Sequence, residues 1–290
     1  MTSWSKKVTW PIPRLQLRPM TPCWLAPALL RPLPISLLRA RTVHTIPTMD
    51  LTLPSTVPAQ THILTTAHKL EILDHQQYNA PSHLTPDTVL PSPLDQFRAW
   101  FAEIQPYVRE PEAMSLSTAT ARGVPSARVL LLKQVDDRGF VFFTNYGSRK
   151  SREMDETGWA AMAWYWREVS RQVRVVGKVE KVGTEESEAY FRSRPLGSRI
   201  GAWASKQSTV VAEGEVAKRV EEAKAKFGVQ GEDETAEVPL PEFWGGWRVV
   251  PHEVEFWLGK PSRLHDRVRY LRKEGSPDDS PEWTIEMLSP

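Results

Sequence analysis

Cysteine is nearly absent. Cys23 stands alone in 290 residues, which excludes an intrachain disulfide framework, a C-x-x-C redox centre and any cysteine-based metal site. Long apolar runs are absent as well. None approaches the roughly 20 residues needed to span a bilayer, so no membrane partner is expected. There is no G-x-G-x-x-G, and Gly147-Ser148-Arg149-Lys150-Ser151 lacks the upstream glycine of a nucleotide P-loop. H-E-x-x-H and G-x-S-x-G are missing too, so neither a metal nor a serine-nucleophile mechanism has support. His265 and Asp266 adjoin, but neighbours on a strand point to opposite faces and make no ready dyad. An enzyme with this inventory would leave its hard chemistry to an organic cofactor.

Acidic side chains are missing from residues 1–49, which hold seven Lys or Arg. That leaves 30 basic and 35 acidic groups in residues 50–290, a net charge of −5. A mildly acidic body argues against a nucleic-acid partner. Residues 1–60 are rich in Pro, Arg, Leu, Ser and Thr and are expected to form no fold. Three readings of this tail stand side by side: an organelle transit peptide, a disordered tail, or a sequence begun too early, with Met49 the true start. The expected location is cytoplasmic, or mitochondrial where the tail is a transit peptide.

What is present reads as mainly β with flanking helices, an α+β chain. Residues 61–92 form a polar arm containing Tyr78. Residues 93–290 form one domain, its last part being 240–290. Leu94, Phe97, Trp100, Phe101 and Ile104 repeat at three- and four-residue spacing and predict a helix over 93–108. Strands are expected at 113–121, 128–133, 140–145, 158–166 and 171–182, in sequential hairpins, followed by two more in 243–272 and a last one in EWTIEMLSP. Further helices are expected from Ser148, from Thr184 as N-cap, and from about Val211 to Phe227. GVQGEDETAEVP reads as an exposed acidic loop.

Residues 128–150, RVLLLKQVDDRGFVFFTNYGSRK, organise the rest. Side chains alternate along the first strand, with Arg128, Leu130 and Leu132 on one face and Val129, Leu131 and Lys133 on the other. Asp136 to Gly139 turn the chain, and Ser148 caps a helix. Arg149 and Lys150 lie at that helix start, where backbone N–H groups and the dipole favour an anion. A ligand with a flat apolar part and a phosphate would suit this stretch; an amphipathic hairpin with solvated charged ends is the plainer reading of it.

Taken in order, RVLLLK, FFTNYGSRK, RQVRVVGKVE, YFRSRPLGSRIGAWASKQS, PLPEFWGGWRV and FWLGKPSRLHDR resemble the pyridoxine (pyridoxamine) 5′-phosphate oxidases across about residues 93–290. The resemblance implies an FMN-binding split β-barrel working as a homodimer, with 240–290 as its dimerisation region. It implies oxidation of pyridoxine or pyridoxamine 5′-phosphate to pyridoxal 5′-phosphate, with O2 reoxidising the flavin and yielding H2O2. Carried over by position, the FMN set is Arg128, Val129, Leu130, Leu131, Leu132, Lys133, Phe143, Thr144, Arg149, Lys150, Gln172, Gln207, Ser208, Trp257 and Arg267. Arg149 and Lys150 would hold the phosphate. The substrate set is Lys133, Tyr190, Arg194, Ser198, Arg263 and His265, with Tyr78 added from the arm. Of these, Arg263 and His265 would sit over the pyridine ring as the catalytic pair, pointing the same way on a strand. Two departures stand out. Phe143 replaces a frequent Tyr, and His75 stands where many members have an Arg three residues before the Tyr. The Trp-rich FWGGWRV and FWLG pieces are expected to pack core and interface. Two other readings remain: a split-barrel FMN oxidoreductase of another substrate, and a non-catalytic pyridoxal-phosphate carrier.

Overall fold

Alternation of buried and exposed residues sets the sheet. In β3 (Ala113–Ala119) Met114, Leu116 and Thr118 turn inward, and in β8 (Arg171–Lys181) Val173, Val175 and Gly177 do the same. The computed structural model describes residues 63–66, 69–72, 77–229 and 236–290. The tail 1–60, His75 and residues 230–235 of the acidic loop lie outside the described residues. A short hairpin, β1 (Ile63–Thr66) with β2 (Lys69–Ile72), precedes the main body.

The main sheet has nine antiparallel strands. They are β3, β4 (Pro125–Leu131), β5 (Gln134–Val135), β6 (Phe140–Asn145), β7 (Trp159–Trp166), β8, β9 (Trp244–Leu258), β10 (Asp266–Arg272) and β11 (Trp283–Met287). The path runs β11-β10-β9-β8-β7-β3-β4, with β6 also joined to β9 and β5 to β6. The 15-residue β9 is the hinge of this arrangement. β8 covers one of its edges over residues 247–258, while the other edge pairs first with β6 (residues 244–249) and then with β10 (residues 253–258). A bulge sits between Val176 and Gly177, where the register skips His252. Gly177 is required there, because a Cβ would strike the Val250 carbonyl. A strand that changes partner halfway and bulges on its other edge bends, and the sheet curls into a half-barrel.

The half-barrel is filled by α1 (Pro93–Ile104). Ser92 caps it by accepting from the Asp95 N–H at 3.4 Å, and Pro93 opens it. Its Phe97 meets Phe140 edge-on at 5.0 Å and Trp164 at 4.9 Å. Each fully buried aromatic of this kind adds roughly 2–3 kcal/mol by area alone. Ser148 caps α2 (Arg149–Thr157) as expected, accepting from Ser151 N–H. Thr184 is not an N-cap. It is the first residue of α3 (Thr184–Ser193), behind Gly183, and Ser187 faces the sheet to accept from Gly246 N–H. α4 (Leu196–Ala204) is a helix the sequence reading left unassigned, and α5 begins at Glu215, running to Lys226. α3, α4 and α5 share a second apolar cluster around Phe191, Ile200 and Trp244. No helix among the described residues is long and apolar enough to cross a membrane.

Candidate active site

A cavity of about 590 Å³ opens between strands β4 and β6 and the α3–α4 corner. β4 pairs with β3, and only the short β5 forms a hairpin with β6. β4 is the last strand of the main path, so its outer row of backbone groups has no strand partner among the described residues. It contributes Leu130 and Leu131, with Lys133 just beyond. Phe143, Thr144 and Asn145 come from β6, Tyr190 from α3, and Arg194, Pro195 and Ser198 from the α3–α4 corner. Ser205 and Gln207, after α4, and Trp244, at the start of β9, complete the wall.

One end of this cavity is built for an anion. The Lys150 ammonium is buried at the start of α2 and donates to Gln207 Oε1 at 2.8 Å, Thr144 Oγ1 at 3.0 Å and Ser148 Oγ at 3.3 Å. Among the described residues it has no carboxylate partner. Burial, aided by the nearby Arg128 charge, pushes its pKa down from 10.5 to about 8. Ser208 Oγ accepts from Arg149 N–H at 3.2 Å, with Ser208 itself at φ 66°. Arg149 Nε and Arg128 share the buried Glu153, at 2.8 and 3.7 Å. Burial would raise the Glu153 carboxyl, but hydrogen bonds from Ser126, Thr118 and Arg149 outweigh it and bring it down to about 2. Arg128 also bonds Leu116 O, Thr118 and Ser126, and so points under the sheet rather than into the cavity.

The other end is aromatic. Phe143 stacks on Tyr190 at 4.0 Å and lies parallel to Trp244 at 5.7 Å. The Arg194 guanidinium sits 4.8 Å from the Trp244 ring centre. Its Nη1 is buried without a hydrogen-bond partner, and burial lowers its pKa. Lys133 and Ser198 stand at the exposed rim. The Phe143 ring, where a phenol was the usual alternative, has its partner in Tyr190.

Of the candidates in and just after β4, Val129 is exposed and Leu132 is buried in the main core, so neither lines the cavity. Gln172, Trp257, Arg267, Arg263, His265 and Tyr78 lie in a second cluster that does not line it either. Gln172 pairs with Trp257 across β8 and β9, and Arg267 pairs with Trp257 from β10. Glu255 holds Arg267 through two oxygens, at 2.7 and 3.1 Å. His265 packs on Trp257 at 4.4 Å, and Tyr78 meets both rings edge-on at 5.1 and 5.6 Å. Tyr78 also shares a 2.7 Å hydrogen bond with the Tyr165 hydroxyl. A Cβ on Gly259 would strike the Tyr78 ring, so glycine there lets the arm settle.

Arg263 and His265 are not on a strand. Pro261–Arg263 is a 3-10 turn with Ser262 at φ 56° and Arg263 at φ 63°, and β10 begins only at Asp266. The turn is gripped from the arm, since Lys260 Nζ donates to the carbonyls of Ala80 (3.0 Å) and Ser82, and Leu84 N–H donates to Asp266 at 3.0 Å. His265 Nδ1 accepts from Lys260 N–H at 3.1 Å. Burial and the charges of Arg263 and Arg267 lower its pKa. The ring is therefore neutral near pH 7 with its proton on Nε2.

Sequence reasoning missed Trp244, Asn145, Pro195 and Ser205 in the cavity wall. Trp244 had been assigned to packing; its spacing from Gly245 and Gly246 carries no signal of a cavity. Among the described residues no group of three or more His, Cys, Asp or Glu could hold a metal.

The residues present fit FMN. A buried cation without a carboxylate awaits an anion, an open strand edge offers backbone donors and acceptors, and an orphaned guanidinium nitrogen waits at the far end. Comparison with known proteins agrees. The family model for pyridoxamine 5′-phosphate oxidase matches residues 101–226, and that for the pyridoxine 5′-phosphate oxidase C-terminal dimerisation region matches residues 244–290. A pyridoxine/pyridoxamine 5′-phosphate oxidase of Bordetella petrii is 48% identical over 222 residues, 76% of this chain and 100% of the relative. That of Salinibacter ruber is 46% identical over 222 residues, 76% of this chain and 99% of the relative. PhzG of Burkholderia lata 383, solved with tetrahydrophenazine-1-carboxylic acid, superposes with a TM-score of 0.64 at 33% identity, covering 73% of this chain and all of that one. An FMN-binding, pyridoxamine 5′-phosphate oxidase-related protein of Nostoc punctiforme has the same fold, with a TM-score of 0.54 at 17% identity, over 69% of this chain and 98% of that one. The half-barrel is thus the expected split-barrel architecture, and the chain belongs to the pyridoxine/pyridoxamine 5′-phosphate oxidase family.

Proposed function

We propose that this protein binds FMN in the cavity and oxidises pyridoxine or pyridoxamine 5′-phosphate to pyridoxal 5′-phosphate, with O2 as acceptor and H2O2 as product. The observation that carries this reading is the pair Lys150 and Arg194. Arg194 lines the cavity, Lys150 lies behind its wall bonded to the lining residues Thr144 and Gln207, and neither cation has a carboxylate partner among the described residues. Two anions are wanted, and a phosphorylated cofactor beside a phosphorylated substrate supplies them.

Lys150 and the Arg149 side chain would hold the FMN phosphate, with Thr144, Gln207 and Ser208 around it. The edge of β4, residues 128–133, would face the flavin ring. Arg194, Lys133, Tyr190 and Ser198 would bind the substrate phosphate, the forked guanidinium matching its oxygens. FMN bound there would supply the acceptor for a hydride from the substrate C4′ and the two-electron route to O2. Neutral His265 offers an Nε2–H donor to the reacting substituent. Arg263, exposed on its strained turn, orients the pyridine ring.

The second cluster belongs to this reading through a partner. Gln172, Trp257, Arg267, Arg263, His265 and Tyr78 gather away from their own chain's cavity. We place them over the cavity of a second copy, so that each site of a homodimer is shared. Apolar side chains left exposed nearby, Val129, Tyr165 and Leu264, would be covered by such an interface.

PhzG, a relative solved with an unphosphorylated tricyclic acid, represents the alternative of another substrate. Arg194 with its unpartnered nitrogen favours a phosphate instead. The test is spectroscopic. Under anaerobic conditions pyridoxine 5′-phosphate should bleach the yellow flavin band, and air should restore it with one H2O2 per turnover. A flavin band that persists through the addition would leave FMN in place and remove the substrate. A bleached band also excludes a non-catalytic carrier.

A further inference from the structure

We infer that Trp244 is the positioning residue of the phosphate end of the cavity, where its indole face carries the Arg194 guanidinium without neutralising it. This rests on the reading of Arg194 as a phosphate ligand given above. Several other arginines of this protein, part-buried or exposed, meet carboxylates: Arg128 and Arg149 share Glu153, and Arg174 and Arg267 share Glu255. Arg248 meets Asp136, Glu180 and Glu186. Half-buried Arg199 instead donates to the Ala236 carbonyl at 3.3 Å. Arg194 departs from this pattern. Among the described residues it makes no ion pair and no side-chain hydrogen bond, and its Nη1 is buried without a partner. What it does have is the Trp244 ring at 4.8 Å and, more distantly, Phe191 at 5.6 Å.

The geometry around this pair is fixed from both sides. Arg194 ends α3 in an extended conformation, φ −79° and ψ 147°, as the following Pro195 demands. Its backbone N–H is tied to Phe191 O at 3.2 Å. Trp244 is almost fully buried, pairs with Asn145 across β9 and β6, and lies within 12° of the Phe143 plane and 7° of the Tyr190 plane.

A carboxylate at this point would orient the guanidinium equally well, but it would cancel its charge and repel a dianionic phosphate. An aromatic face holds a cation through the ring quadrupole and leaves the full positive charge directed at the ligand. The choice of tryptophan therefore sets affinity for the phosphate, and with it the preference for phosphorylated over unphosphorylated substrate.

Packing alone and cation holding make different predictions, because only the second depends on the electron density of the ring. Site-specific replacement of Trp244 by mono-, di- and tetrafluorotryptophan nearly keeps the shape while draining the π face. Trp244→Phe provides a second, independent variant. The measurements, on the FMN-loaded protein, are KM and kcat for pyridoxine 5′-phosphate and the inhibition constant of inorganic phosphate. KM and the phosphate inhibition constant are expected to rise together along the fluorine series, by roughly 3- to 10-fold at its end, with kcat and flavin content retained. Trp244→Phe should fall within the same range. Constants that stay flat along the series, in an enzyme that turns over pyridoxine 5′-phosphate and is inhibited by phosphate, overturn the role of Trp244 alone. A wild-type protein that phosphate does not inhibit and pyridoxine 5′-phosphate does not reduce overturns the phosphate reading of Arg194, and this inference with it.

Discussion

Lys150 keeps a positive charge where little water reaches it, and its pKa of about 8 measures the strain of doing so. An amine whose pKa is lower in the fold than in the open chain destabilises the flavin-free protein wherever it is protonated. The cost is absent above the ordinary value of 10.5, grows as the pH falls, and is complete below about 8. Its full size is about 3 kcal/mol. Lys150→Met should therefore leave the flavin-free protein at least as stable at pH 7, while weakening FMN by roughly 100-fold through loss of a charged hydrogen-bonding partner. Thermal melts of flavin-free protein and FMN titrations separate the two effects. In the wild type, FMN affinity should hold level up to about pH 8 and decline above it, as Lys150 in the empty site loses its proton. An affinity unchanged from pH 7 to 10 would mean that the phosphate rests elsewhere.

At the scale of elements, the bend in β9 depends on one missing side chain. Gly177→Ala would press a methyl group onto the Val250 carbonyl at the bulge, at a cost of about 2 kcal/mol, read as a lower melting temperature. Gly183→Ala, with open space at its Cβ, provides the control. The elements differed in how openly the sequence announced them. α1 was legible because Leu94, Phe97, Trp100 and Ile104 repeat with the helical period, and the turn through Asp136 and Gly139 because of its turn residues; the strand paired across that turn is only Gln134–Val135, while the 128–131 run pairs with β3 instead. α4 was not, since Gly197 and Gly201 lower helix propensity and its stability comes from burying Leu196 and Ile200 against other helices. The turn at Pro261–Arg263 was mistaken for strand because nothing in PSRLHDR marks a left-handed serine and arginine. Contacts from the distant arm hold that turn, and a sequence window does not contain them. The anion end of the site was legible from a cap and two cations in a row. Trp244 was not, because alternation along β9 says which side is buried and not which buried side adjoins a cavity.

At the scale of the whole molecule, the candidate residues fall into two groups that a single chain keeps apart. A shared-site dimer turns this into a complementation test. Lys150→Met damages the cavity and Arg263→Ala damages the strained turn, so each homodimer should be inactive. Mixed by unfolding and refolding together, the two variants should recover about a quarter of wild-type activity, since half of the dimers are mixed and each of those has one intact site. No recovery would place both groups in one chain's site. The same division has a consequence for how the protein behaves in dilute solution. In a shared-site dimer a lone chain would hold two halves of different sites and no whole one, so activity would follow the dimer–monomer equilibrium and fall with dilution. A cofactor held by both chains binds the pair and not its separated members. By mass action FMN would then act as an adhesive between subunits, and with two sites per dimer each tenfold increase in its free concentration above saturation would strengthen their association about a hundredfold.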